Sequence, residues 1–214
     1  MHFLKYIFCV AFTALSVSTV RAAEMSASTN APPVNGADIA NYGTITNTDK
    51  WWSENNTGAG SVKGQTFTTG ALKVLLKGIT YQVTENQKAE PTKVYVIRVG
   101  SVFSNIFTVL HTETATQTFT WNGGEYMTWR LDTPVLLEAN SIYGVDIGMT
   151  SSTSGWRTGI PYITYGGNEY AAGSRYTSGR SGIGEPILNL DQNRDRIFHL
   201  DLDYLPHGFQ LIFE

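Results

Sequence analysis

Past residue 60, apolar and polar positions alternate with a period of two, while a helical period is nearly absent. The alternation predicts strands over Gly64–Thr69, Leu72–Val83, Lys93–Val99, Asn105–Glu113, Gln117–Trp121, Tyr126–Leu131, Val135–Glu138, Ile142–Met149, Tyr162–Tyr165 and Arg196–Tyr204. Turn formers separate them: Asn122-Gly123-Gly124, Thr133-Pro134, Ala139-Asn140 and Gly166-Gly167-Asn168. Each strand carries one apolar face. Met127, Trp129 and Leu131 point one way, with Tyr126, Thr128, Arg130 and Asp132 opposite. Tyr143, Val145 and Ile147 face inward and leave Asp146 looking out; Phe198, Leu200, Leu202 and Tyr204 face in, with His199, Asp201 and Asp203 outward. Short strands of this kind with no helices between them pair antiparallel, in a sandwich or barrel.

Three stretches depart from the pattern. Residues 1–22 read as a secretory signal peptide: Lys5 supplies a basic start, Ile7 to Val17 an apolar run too short to span a bilayer, and Val20-Arg21-Ala22 a cleavage site after Ala22. Residues 23–50, rich in Ala, Ser, Thr, Asn and Pro, read as a flexible lead-in with room for a first edge strand at its end, leaving 51–214 as the β-sandwich domain. Residues 150–187 hold many Gly and Ser together with Trp156, Tyr162, Tyr165, Tyr170 and Tyr176. That is too long for a turn and too aromatic for a linker, so an ordered loop region over one end or face is expected.

Composition narrows the partners. The single cysteine, Cys9, lies in the leader behind Phe8, where a lipoprotein signal would need a small residue. The exported chain therefore has no disulfide, no thiolate nucleophile and no cysteine ligand, a usage that favours a bacterial source. Of 15 basic and 18 acidic residues the leader removes Lys5 and Arg21, which leaves a net charge near −5. A mildly acidic chain disfavours nucleic acid and other polyanions. No second apolar run is long enough for a membrane span.

Four segments carry a resemblance: GQTFTTG (64–70), TWNGGEYMTWRLDTPVLLEANSIYGVDIGMTSSTSGW (120–156), Tyr165-Gly166-Gly167 with Glu169-Tyr170, and DRIFHLDL (195–202). Together they resemble exported bacterial jelly-roll domains that are compared with carbohydrate-binding modules and are often followed by a C-terminal sorting signal of the Val-Pro-Glu-Pro type, absent from this sequence. The resemblance covers roughly residues 60–204. It implies an antiparallel jelly-roll β-sandwich and an extracellular setting, and it carries no catalytic residues with it.

Candidate chemistry is of three kinds. Exposed Trp and Tyr rings bury the flat C–H faces of sugars while polar neighbours bond the hydroxyls. Trp156, Tyr162, Tyr165 and Tyr170, with Arg157, Asn168 and Arg175, are the set for that role; the competing reading is that the rings pack the loop onto the sandwich. Trp51 and Trp52 are a second platform, of which at most one ring can be exposed. Asp191, Asn193 and Asp195 alternate in a loop, a spacing that suits a structural Ca²⁺, although Arg196 stands where an EF-hand loop needs glycine. No other cofactor is implied. Catalysis has little to draw on: His111, His199 and His207 lack zinc-site spacing, and there is no Gly-x-Ser-x-Gly elbow. A glycosidase pair would have to come from Asp132, Asp146, Asp201 and Asp203, and a lyase would need Tyr126 and His199 as acid and base with Arg130 neutralising a carboxylate. The same residues read more simply as a solvated sheet face with cross-strand ion pairs. Asn55-Asn56-Thr57 is a glycosylation sequon of little meaning in a bacterium.

The sequence thus points to a secreted, non-catalytic module that recognises carbohydrate or a cell-surface glycan. The alternatives are a structural or adhesive module with a protein partner and, third, a polysaccharide-active enzyme.

Overall fold

The computed structural model describes residues 22–52, 62–84, 94–150, 157–164, 170–178 and 188–205, with only the backbone at 49–52, 149–150, 157–164 and 178. The strands are β1 (Glu24–Ser28), β2 (Ile39–Asn41), β3 (Asn47–Trp52), β4 (Lys63–Thr68), β5 (Val74–Gln82), β6 (Val94–Phe103), β7 (Ile106–Thr116), β8 (Tyr126–Leu137), β9 (Ile142–Thr150), β10 (Arg157–Thr164), β11 (Arg175–Ser178), β12 (Leu188–Asp191), β13 (Arg194–Arg196) and β14 (Phe198–Tyr204). They form a five-stranded sheet in the order β1-β8-β5-β14-β2, a six-stranded sheet β12-β11-β4-β9-β6-β7 and a three-stranded sheet β13-β10-β3. From β4 the chain passes back and forth between the two larger sheets, and every strand pairing is antiparallel. It is an all-β jelly-roll sandwich.

The main core lies between those two sheets and is built from residues the alternation assigns inward, except Tyr204, which at the end of β14 is 50% exposed. Met127, Trp129, Leu131 and Leu137 of β8 meet Tyr95, Ile97 and Val99 of β6, Tyr143, Val145 and Ile147 of β9, and Phe198, Leu200 and Leu202 of β14. Each such side chain adds roughly 1.5–3 kcal/mol when fully buried. Trp129 sits at the centre, with Tyr81 and Tyr95 rings at 6.2 and 5.7 Å.

Several elements depart from the sequence expectation. Two expected strands, Tyr126–Leu131 and Val135–Glu138, are one strand interrupted by a bulge, where β8 spends Leu131–Pro134 against Lys77 alone. The amides of Asp132 and Thr133 in that bulge donate to the buried Glu113 carboxylate, both at 2.9 Å, so a side chain from β7 replaces the missing ladder bonds. Gln117–Trp121 is not a strand. Gln117 instead accepts from the Tyr95 hydroxyl and donates to Phe119 O, pinning the segment over the end of the core. Parts of the expected lead-in are sheet: β1 and β2 take the two edges of the five-stranded sheet, with Met25 and Ala27 against the core. A preformed neighbour supplies backbone partners, so a strand of weak composition can form at an edge.

Asp146 is the largest departure. It lies on the outer side of β9, as the alternation requires, yet it is fully buried. The six-stranded sheet rolls over itself: Leu188 N–H, at the start of β12, donates to Asn105 O in the β6–β7 turn at the far side. The roll encloses a second small core of Val102, Phe107, Tyr176 and Leu188. Inside it Arg98 grips Asp146 through two bonds of 2.8 and 2.7 Å, the Tyr176 hydroxyl donates to the same carboxylate at 3.0 Å, and the guanidinium lies 4.9 Å over the Phe107 ring. Glycine makes the curl possible. A Cβ on Gly64 would lie 2.2 Å from the Tyr176 ring, and one on Gly100 2.6 Å from Phe107.

The three-stranded sheet joins through β13. Arg196 is fully buried and donates to Gly64 O and Tyr176 O, while Asp195 accepts from the Gln65 side chain at 2.8 Å.

Candidate functional site

The outer face of the five-stranded sheet, partly covered and partly exposed, gathers several of the candidate residues. Antiparallel register sets it out in rows. One row runs Ala40, His199, Thr80, Thr128, Ser26; the next runs Asp201, Gly78, Arg130, Glu24; Tyr126 stands beyond Thr128, between Gln82 and Ser28. The period-two argument put Tyr126, Arg130, His199, Asp201 and Asp203 outward, and the pairing brings them onto this one face.

Tyr42, just after β2, completes it. Its ring lies offset and nearly parallel to His199, at 6.4 Å and 15°, and meets Tyr126 edge-on at 5.8 Å. Its hydroxyl donates to Pro32 O at 2.8 Å. Beneath it His199 is fixed by Asp38: Nε2 donates to Oδ2 at 3.1 Å, and the same carboxylate accepts Asn35 N and Leu202 N. Burial, then the neighbouring Tyr126 and Asp38, push the Tyr42 phenol well above 10, and burial raises Tyr126 as well. Both phenols are therefore hydrogen-bond donors at neutral pH, unsuited to the work of a base. His199 is 5% exposed, roofed by Tyr42 and engaged by Asp38, so it positions the tyrosine rather than reaching a substrate.

At the centre of the face Gly78 is buried, and a Cβ built on it would meet Trp129 O at 3.4 Å and Arg130 Cα and Asp201 Cβ at 3.7 Å, ordinary contact distances. Arg130, its partner on β8, is exposed. Lys77, the residue left over by register shifts on both sides of β5, bonds Asp201 at 3.0 Å and Asp203 at 2.8 Å. The arrangement offers half-buried aromatic rings, Thr and Ser hydroxyls, a guanidinium and carboxylates on one sheet face. That is a hydrogen-bonding surface for a polar ligand with some C–H area.

The other sequence candidates fall elsewhere. Trp156, Tyr165 and Asn168 lie outside the described residues, and of Arg157 and Tyr162 only the backbone is described, paired in β10 with Trp52 and with Asn47 and Arg196. Tyr170 packs edge-on against Phe198 at 5.7 Å, and its hydroxyl bonds the backbone N–H and C=O of Thr68. Arg175 donates to Asp191 at 2.7 Å. These two are built into the sandwich.

The spacing suggested calcium at Asp191, Asn193 and Asp195. Asp191 accepts from Arg175 and lies 3.3 Å from Arg194, and Asp195 is fully buried against Gln65. A divalent cation would have to sit beside two guanidinium groups, so this donor set does not fit one. Among the described residues no group of three or more His, Cys, Asp or Glu is placed to hold a metal. The glycosidase set is also dispersed, because Asp146 belongs to the other sheet and is closed in by Arg98. A concavity of about 310 Å³ at the mouth of the rolled sheet is lined by Thr66, Thr68, Val102, Ser104 and Leu190 among others, and has neither an aromatic ring nor a charged group.

Sequence reasoning missed Tyr42 and Asp38, which flank the three-residue β2 and carry no periodic signal.

No family model matches the chain, and no curated protein matches it. Among solved structures it is similar to the crystal structure of the cysteine protease and lectin-like domains of Cwp84, a surface-layer-associated protein of Clostridium difficile, at 8% identity and a TM-score of 0.43. The match covers 72% of this chain and 35% of that one, so the chain spans about a third of the protein it resembles. Among the described residues no helix is long and apolar enough to cross a membrane.

Proposed function

We propose that this protein is an exported, non-catalytic module that binds a carbohydrate or cell-surface glycan on the outer face of its five-stranded sheet. The observation that carries the reading is the grouping of the Tyr42–Tyr126 rings with the Thr80–Thr128 hydroxyl pair and the exposed Arg130 on one sheet face. A sugar ring needs that combination of a flat apolar contact and several directional polar groups. The leader-like residues 1–22 support an extracellular setting. A histidine buried beneath Tyr42 and held by Asp38 favours binding over catalysis.

The test is a glycan and polysaccharide screen followed by calorimetric titration of the best ligand. Arg130→Ala, at an exposed residue of the face, is expected to weaken binding at least tenfold while leaving the melting temperature within a few degrees. Tyr126→Ala is expected to weaken it similarly. Binding lost with Trp156→Ala but unchanged by Arg130→Ala and Tyr126→Ala moves the site to the 150–187 loop. No binding to any neutral or acidic glycan removes the carbohydrate reading.

A further inference from the structure

We propose that β7 pairs edge to edge with β7 of a second copy of this chain, antiparallel across a two-fold axis at Val109, and so joins two six-stranded sheets into one. β7 is the last strand of its sheet and runs from Ile106 to Thr116. Among the described residues every other sheet edge is short: β1 has 5 residues, β2 has 3, β12 has 4, β3 has 6 and β13 has 3. Short edges are the usual guard against unwanted pairing. β7 breaks that rule.

The open stretch is bounded at both ends. Thr114 O already accepts Ala23 N–H at 2.8 Å, and Asn105 O accepts Leu188 N–H at 2.8 Å. Between them lies Ile-Phe-Thr-Val-Leu-His-Thr, residues 106–112, without Lys, Arg, Asp, Glu or Pro. Ile106, Val109 and Leu110 are each about half exposed, and Phe103 beside them at the hairpin end is 83% exposed. The register shift between Val99 and Gly100 leaves Leu110 as an extra residue on β7, adding one more apolar side chain to the edge.

The stretch fits itself. With Val109 on the axis, Ile106 lies opposite Thr112, Phe107 opposite His111 and Thr108 opposite Leu110, and the pairing stops short of Thr114, where Ala22 and Ala23 sit. No charges face each other across the axis, since the His111 ring is held by Glu113 at 2.8 Å. No other described edge of this chain has enough residues to match the whole stretch. A symmetric, self-complementary contact of this kind closes at two copies.

Light scattering and sedimentation of the purified protein across concentration test this, independently of any glycan. The wild type is expected to form a dimer, and Val109→Lys alone or Val109→Glu alone to weaken it at least tenfold by placing like charges face to face. Mixing the two variants is expected to restore a dimer. Leu136→Lys, at a residue 46% exposed on the other large sheet, is expected to leave it unchanged. Melting curves of the variants confirm that they fold. A wild type monomeric at every concentration, a dimer indifferent to Val109→Lys, or variants that fail to rescue each other would overturn the proposal.

Discussion

Tyr176 occupies the space that Gly64 leaves empty. Gly64→Ala forces a methyl group into the phenol ring, and overpacking of that kind costs about 1–3 kcal/mol. In a Tyr176→Ala background the same change is expected to be close to neutral, so urea unfolding of the four-protein cycle should show strong coupling. Charged residues make a second case. Burial pushes the Asp191 carboxyl up, but the Arg175 guanidinium outweighs it and holds the group below its ordinary 3.8. A carboxyl lowered in the folded state adds stability above its unfolded value and loses it as pH falls through the folded one. Wild type should therefore melt above Asp191→Asn near neutral pH, and the gap should close as the pH drops below about 4. Sequence pattern gave the side of the strand for Asp146 but not its burial. Alternation reports which way a residue points, and whether that side is roofed depends on strands that are distant in the chain.

Edge strands show how side chains complete what short elements cannot. β2 pairs with β14 over only Ile39–Asn41, and polar side chains at its two ends carry the ladder further. Asp38 Oδ1 accepts Leu202 N–H at 2.8 Å, and Asn41 Nδ2 donates to Arg196 O at 3.1 Å. Asp38→Ala leaves an amide without its acceptor and frees His199, and is expected to cost about 1–3 kcal/mol. Hydrogen exchange should show faster exchange at Leu202 with little change at Trp129. Long strands with strict alternation, β5, β6, β9 and β14, were legible in the sequence. β1, β2, β11, β12 and β13 were not, because three to five residues in Ser-rich or Gly-rich surroundings carry too little periodicity to stand out. The same shortness hid Tyr42 and Asp38, which flank β2. The candidate site was half visible for that reason: its β8 and β14 residues follow the alternation, whereas its roof is set by a three-residue edge.

The described residues form two interiors, a wide one between the sheets that is almost entirely apolar and a narrow one inside the rolled sheet built around an ion pair. The proposed glycan face and the proposed pairing edge lie on different sheets. Two copies joined at β7 would each keep an open face, and a polymeric glycan could engage both, so that the second contact forms at high effective concentration. The apolar interior follows from composition and alternation together. The ion-paired one follows from how far the six-stranded sheet curls, which no local pattern encodes.

The winding of the chain also bears on when it can fold. Central β5 takes β8 on one side and β14 on the other, and the Asn41–Arg196 bond closes a separation of 155 residues. Until the last strand has been synthesised, β5 has an open side and the five-stranded sheet lacks both β14 and the edge β2 that depends on it. Contacts this remote in sequence form slowly, because loop closure precedes any reward from pairing. The five-stranded sheet therefore closes late: with β14 absent, β5 keeps one unpaired side and β2 has no neighbour to pair with.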